Sequence, residues 1–395
     1  MEIQKKKIGC VIAYKEGGNN YGTSLQGYAT LKKIHDLGYE CEIIQYKKRL
    51  SLFKKLCLVI QMLRIGGGSD QIRVQKRKII KKLYPQYAKN IAIRTVAVNH
   101  FKEEKIKPLF KEYNGFEQLC KGSLNYAAVL IGSDQLWTPM SLYGKYYNLL
   151  FVDDSVPKIA YAASFGVSKI PSIQEKQTGE YLSRFDFIGV RELQGKKIVE
   201  SLSRNKAKVV CDPTMLLTRK EWEKEIETSS VKVEEPYIFC YFLGKNEDCR
   251  KAANELKQKT GLKIITIRHM DEFIKNDERF GDEAPYDASP IDFVKYISGA
   301  KYVCTDSLHC SLFSILFQRQ FMTFYRYNTQ NKESRNSRID SLFTLFGLQD
   351  RLYRGIIDTI EKEIPYTEIN EKLQNFRAES LLFLQEGLAI SKQKE

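Results

Sequence analysis

Short apolar runs, each closed by a polar or glycine-rich turn and followed by a helix-periodic stretch, constrain this chain more than any other feature. Residues 8–14 form a continuous apolar run, and Gly17 to Gly22 form a flexible turn. Residues 24–37 carry Leu25, Tyr28, Leu31 and Ile34 at helical spacing, Gly38 closes them, and residues 40–44 are strand-like again. Strand, helix and strand in that order dictate a parallel pair joined by a crossover. Similar runs follow at 126–131, 158–166, 187–190 and 209–214. A second set begins near Pro236, with strands at 237–243, 263–267, 300–304 and 321–324. Helical patterns separate them at 246–260 and 292–297 and follow them at 337–348.

The charged stretch 224–235 is short of large apolar residues and reads as a linker. The expected architecture is therefore α/β, with two doubly wound, Rossmann-like domains facing a cleft. Their bounds are 1–225, with a basic helical insertion at about 47–113, and 226–395, ending in a charged helix with Leu373, Phe376, Leu381 and Leu384 as its stripe.

Charge is segregated along the chain. The formal net charge of +15 equals that of the segment from Lys47 to Lys111, where 18 Lys and Arg face 3 acids. Apolar residues recur there at helical spacing, as in Leu52, Leu56, Val59, Ile60 and Leu63, before Gly66, Gly67 and Gly68 interrupt them. Residues 76–83 are strongly amphipathic. Such a segment suits an anionic membrane surface or a phosphate-rich acceptor, with a merely solvated face as the competing reading. No nucleic-acid-binding motif accompanies it, so nucleic acid is not expected.

The nine cysteines form no CxxC pair and read as reduced core thiols of a cytoplasmic protein. A zinc site is not expected. The lysines at 5–7 ahead of the first apolar run imitate a signal peptide. However, Lys15, Glu16, Gly17 and Gly18 stand where a cleavage site would be, so the run reads as the first strand.

Polar residues follow strand ends throughout and should collect along one edge of each sheet. Asp306 and Ser307 are good N-cap residues after the 300–304 strand, and His309 falls on the first turn of the next helix. A helix N-terminus at a strand end suits an anion. The glycines of the turn from Gly17 to Gly22 would let the backbone approach a phosphate or carboxylate, the plainer reading being an ordinary strand-to-helix loop. Each residue also has a plainer reading. Asp306 and Ser307 can simply cap and His309 simply pack. Asp134 can cap, Arg191 can pair with Glu192 or another surface acid, and Asp212 can form a turn.

Four stretches in order resemble the polysaccharide pyruvyl transferase family: residues 19–26 (NNYGTSLQ), 131–137 (IGSDQLW), 190–192 (VRE) and 304–311 (CTDSLHCS). The resemblance runs from about Lys7 to about Leu352. It implies a GT-B-like pair of domains and transfer of the enolpyruvyl group of phosphoenolpyruvate to a sugar as a pyruvate ketal, with release of phosphate. The chemistry asks for cations and N–H groups around a dianionic donor, and an acid that protonates its methylene carbon. Arg191 can grip a carboxylate or phosphate through two hydrogen bonds. His309 is the candidate acid and Asp134 the candidate base. Asn20, Tyr21, Gly22, Gln26, Ser133 and Ser307 are candidate substrate-binding residues, with Arg268 and His269 as further donor contacts. No step requires a metal or a cofactor beyond the co-substrate.

The expected partners are phosphoenolpyruvate and a glycan acceptor, lipid-linked if the basic segment holds the protein at the cytoplasmic membrane face. Cys310 stands where the family usually has glycine, and its side chain would crowd the helix start. Two other classes share the fold: a glycosyltransferase using a nucleotide sugar, and a catalytically silent glycan-binding protein.

Overall fold

The computed structural model describes residues 7–48, 68–326 and 336–393. Among them, seven strands build the first sheet: β1 (Ile8–Val11), β2 (Cys41–Lys47), β3 (Phe110–Asn114), β4 (Ala128–Ile131), β5 (Lys158–Ala163), β6 (Phe187–Val190) and β7 (Lys208–Val209). Their order is β3-β2-β1-β4-β5-β6-β7. Four more build the second sheet in the order β11-β10-β8-β9: β8 (Tyr237–Tyr241), β9 (Lys263–Thr266), β10 (Tyr302–Thr305) and β11 (Gln320–Thr323). Every pairing is parallel. Strands β1, β4, β5, β8 and β10 are buried at every residue, as expected of parallel strands covered on both faces. Strand order reverses between β1 and β4 in one sheet and between β8 and β10 in the other. Ligands of open parallel sheets bind outside the carboxyl ends at such points.

Three expectations change. The basic insertion is not helical to residue 113: after the helices Gly68–Leu83 and Pro85–Lys105, Phe110–Asn114 pairs with β2 as an edge strand. Two of its middle residues are exposed, so its own pattern carries little strand signal. The helical spacing at Leu52 to Leu63, and Gly66 and Gly67, lie outside the described residues. The run at 209–214 is strand only at its start, because Asp212 caps a short helix, Pro213–Leu216, with proline at its first position. Finally, the terminal helix Tyr366–Gln393 spans both halves: Tyr366 donates to the Ser314 and Arg319 carbonyls and Phe376 meets Phe346 at 6.5 Å in the second half, while the rest of the helix packs on the first sheet. Phe383 meets Phe187 at a ring distance of 5.6 Å, and Ser380 Oγ accepts the Cys211 N–H at 2.9 Å. An apolar stripe shows that a helix must be covered, not which sheet covers it.

The halves share one continuous apolar core. Tyr21 of the first half stacks on Phe293 of the second, with ring centroids 4.9 Å apart, and its hydroxyl donates to the Ala288 carbonyl at 2.8 Å. Trp222 stands edge-on to Phe313 at 5.0 Å and to Tyr28 at 6.2 Å, joining helices from both halves.

Candidate active site

The helix Leu308–Leu316 starts where β10 ends and carries His309 on its first turn. The helix Tyr21–Asp36 starts in the loop after β1, and the two starts meet. A Cβ on Gly22 would stand 2.2 Å from His309 Nδ1. The expectation that Gly22 admits a phosphate therefore changes: its missing side chain makes room for an imidazole from the other half.

His309 Nε2 lies 3.4 Å from Asp212 Oδ2, an electrostatic contact without hydrogen-bond alignment. Asp212 is the hub of the site. Arg191 Nη1 donates to Oδ2 at 2.7 Å and Ser133 Oγ donates to the same oxygen at 3.4 Å. The Thr214 N–H and hydroxyl donate to Oδ1 at 3.0 and 2.8 Å. Burial pushes this carboxyl up, but His309 and Arg191 outweigh it and hold Asp212 far below the usual carboxylate range.

Asp134 follows β4 with a backbone φ of 86°, a left-handed conformation that costs a non-glycine residue about 1–3 kcal/mol. The Ser164 N–H, donating to its carbonyl at 3.1 Å, holds it there. Its carboxylate accepts the Thr23 hydroxyl and the Gln135 N–H, both at 2.8 Å. Against burial, Arg191, His309 and these donors hold Asp134 below its ordinary value.

Arg191, just past β6, has a side chain only 5% exposed. Burial opposes its charge, yet Asp212, Asp134 and Glu192 more than restore it. Among the described residues its Nε and Nη2 have no hydrogen-bond partner. Beside it, Glu192 accepts the Ser164 hydroxyl at 2.7 Å, and burial pushes its carboxyl up despite Arg191. A second guanidinium enters from the helix Ser337–Phe346. Burial and then Arg191 pull Arg338 below the usual arginine range, and its Nε has no hydrogen-bond partner among the described residues.

His309, Arg191, Asp134, Ser133 and Gly22 thus come together at the meeting of two strand-end crevices. Others do not. Tyr21 is fully buried at the junction between halves, and buried Gln26 donates to the Thr23 carbonyl at 3.0 Å. Asn20 is an ordinary N-cap, accepting the Thr23 N–H at 3.1 Å. Arg268 is engaged by the Tyr286 hydroxyl and the carbonyls of Glu278 and Phe280. His269 is half-buried, and burial pulls its pKa down, with Arg326 and Asp306 within electrostatic range.

Ser307 occupies the N-cap position without a side-chain cap bond. Asp306 does not cap either: it accepts the N–H groups of Leu243 and Gly244, both at 2.7 Å, and ties the end of β10 to the end of β8. Cys310 is fully buried among core residues, so it does not crowd the helix start as expected. Sequence reasoning missed Arg338 and Thr23, and it gave Asp212 only a turn. The Asp-Pro-Thr sequence signalled that turn, but nothing near Arg338 distinguished it from a surface residue of its helix.

Two doubly wound sheets with a cationic site between their switch points define a GT-B-like α/β protein. A Listeria monocytogenes structure assigned as a UDP-N-acetylglucosamine 2-epimerase is similar at a TM-score of 0.50 and 10% identity, over 97% of this chain and 91% of that one. The UDP-GlcNAc 2-epimerase of Neisseria meningitidis bound to UDP-GlcNAc gives 0.49 and 8%, over 95% and 94%. At these identities the likeness concerns the fold alone. A search of curated proteins returns no match. The family model for polysaccharide pyruvyl transferases matches residues 20–328, and the chain belongs to that family.

Proposed function

We propose that the protein transfers the enolpyruvyl group of phosphoenolpyruvate to a sugar of a glycan, forming a cyclic pyruvate ketal and releasing phosphate. The observation that carries this reading is the pair Arg191 and Arg338, whose guanidinium N–H groups include ones unpartnered among the described residues, beside the His309–Asp212 contact. Two guanidinium groups suit the carboxylate and phosphate of such a donor. His309 delivers a proton to the methylene carbon, leaving the adjacent carbon electrophilic. One sugar hydroxyl attacks that carbon and its proton passes to the ionised Asp134. A second hydroxyl attacks as the carbon–oxygen bond to phosphate breaks. One hydroxyl proton replaces the proton lent by His309 and the other leaves with phosphate, so His309 and Asp134 end as they began.

The test is thermal stabilisation by phosphoenolpyruvate and, separately, by nucleotide sugars. Phosphoenolpyruvate should raise the melting temperature of the wild type and leave that of Arg191→Ala unmoved. Stabilisation by a nucleotide sugar alone would favour a glycosyltransferase instead. In a phosphate-release assay, His309→Gln should lose roughly a hundredfold to ten-thousandfold in turnover while donor stabilisation largely remains. Near wild-type turnover in that variant would assign the proton to another group.

The protein works, in the same reading, at an anionic cytoplasmic membrane face that carries its lipid-phosphate-linked acceptor. Supporting this, the helices Gly68–Leu83 and Pro85–Lys105 expose Ile79, Leu83, Ile93 and Val96 beside Lys76, Lys78, Lys82 and Lys89. Among the described residues no helix is long and apolar enough to cross a membrane.

A further inference from the structure

Next to Arg191 and Asp212 the site widens into a cavity of about 470 Å3. Arg191, Asp212 and Arg338 form its inner polar wall, Ser341 lies between, and exposed Thr344 and Glu379 stand at its rim. The rest is largely apolar, with Leu308 and Leu312 from the His309 helix, Met215 and Leu342 among its lining. Leu193 and Leu345, 49% and 41% exposed, also line it and place its mouth at the protein surface. The volume falls within the ordinary range of small-molecule sites.

The donor does not account for these walls. Phosphoenolpyruvate carries a carboxylate, a phosphate and one methylene, and its charged groups have Arg191 and Arg338. A sugar ring is polar over most of its surface and gains little from leucine. The cavity borders the reacting centre: Arg191 and Asp212 belong to both, and Leu308 adjoins His309. A group that fills it lies within reach of a molecule that reacts there.

We propose that this cavity receives an apolar aglycone of the acceptor, a hydrocarbon or aromatic group attached to the sugar that takes the ketal. Calling it part of the acceptor rests on the pyruvyl-transfer reading; the affinity of the cavity for an apolar glycoside does not. Burial of a methylene is worth roughly a fourfold gain in affinity, so a short alkyl chain suffices to reveal the site.

The experiment is calorimetric titration of the full-length protein, without donor, with methyl, phenyl and octyl β-glycosides of glucose and galactose, the octyl compounds below their micelle-forming concentration. Octyl glycosides should bind at least about tenfold more tightly than methyl glycosides. A gain for octyl identifies a lipid-like chain, and a gain for phenyl alone identifies an aromatic aglycone. Ser341→Phe fills the cavity and Leu345→Asp puts a charge at its exposed mouth; in each the apolar advantage should fall to about one. Equal affinity for all three glycosides in the wild type overturns the proposal, as does an advantage that survives in both variants. Phosphate release with phosphoenolpyruvate is read separately. An apolar preference without phosphate release from any glycoside would leave the cavity assigned and remove the transfer reading.

Discussion

Gly22 shows how one residue couples the two halves. Any side chain there would meet the His309 ring at its Nδ1 edge, while Asp212 stands at its Nε2 edge. Gly22→Ala should therefore fold and retain donor-induced stabilisation, because Arg191 and Arg338 are untouched. Its turnover should fall by roughly a hundredfold, the typical cost of misplacing a reacting group by about an ångström. Wild-type phosphate release from this variant would show that the position of His309 is not critical. Asp212 explains why so much of the site is ionised while buried. Its carboxylate takes one guanidinium hydrogen bond and three from hydroxyl and backbone donors, so removing it would leave Asp134 and Glu192 alone against the buried charge of Arg191.

At the scale of elements, capping and cross-half clamps position the turn that carries His309. The helix Arg219–Ile226 opens on a capping box, in which Glu221 accepts the Thr218 N–H at 2.6 Å and takes Lys33 of the first helix at 2.9 Å. Its Trp222 packs against Phe313 of the His309 helix. Burial opposes its ionisation, but Lys33 and the Thr218 donors pull Glu221 down to about 2. A carboxyl depressed in the folded state contributes stability above its unfolded value, and that contribution is lost as pH falls toward the folded one. Wild type should lose stability between about pH 4.5 and about pH 2 more steeply than Glu221→Gln, as read from melting temperatures across that range. Parallel curves would mean that Glu221 is not held as described. On the other side, fully buried Arg94 of the helix Pro85–Lys105 donates to the carbonyls of Tyr286 and Pro285, both at 2.8 Å. The basic insertion is thereby fastened to the second half.

For the whole molecule, that fastening joins a candidate membrane-facing element to both domains. Arg77 is part of the clamp, donating to the Met270 carbonyl at 3.1 Å and pairing with Asp271 at 3.3 Å, so it is not available to lipid as Lys76, Lys78 and Lys82 are. Attraction to anionic lipid is worth roughly 1 kcal/mol per basic residue near the surface and is screened by salt. Sedimentation with vesicles of rising anionic-lipid content should recover the protein at low salt and lose it at high salt. Replacing Lys76, Lys78, Lys82 and Lys89 with Gln should release it even at low salt. A wild type that ignores anionic vesicles at low salt would make this face a solvated one. The continuous apolar core between the halves also argues for a joint that holds its geometry, since wide domain motion accompanies small, polar interfaces.

The sequence by itself determined the parallel α/β character, the two sets of strands, and the fact that Asp134, Arg191 and His309 follow strand ends. Apolar runs, turns and helical spacing are local patterns, and parallel pairing forces strand ends to one edge. Only the tertiary structure decided which of those residues meet. Asp212 lies 21 residues from Arg191 in sequence, and its part in the site depends on β7 ending early so that the carboxylate turns inward. Arg338 becomes a site residue because its helix packs beside Arg191, and Tyr21 leaves the site because Phe293 of the other half offers its ring a stacking partner. Periodicity specifies that a face must be buried. The partner that buries it is chosen by packing between segments far apart in the chain.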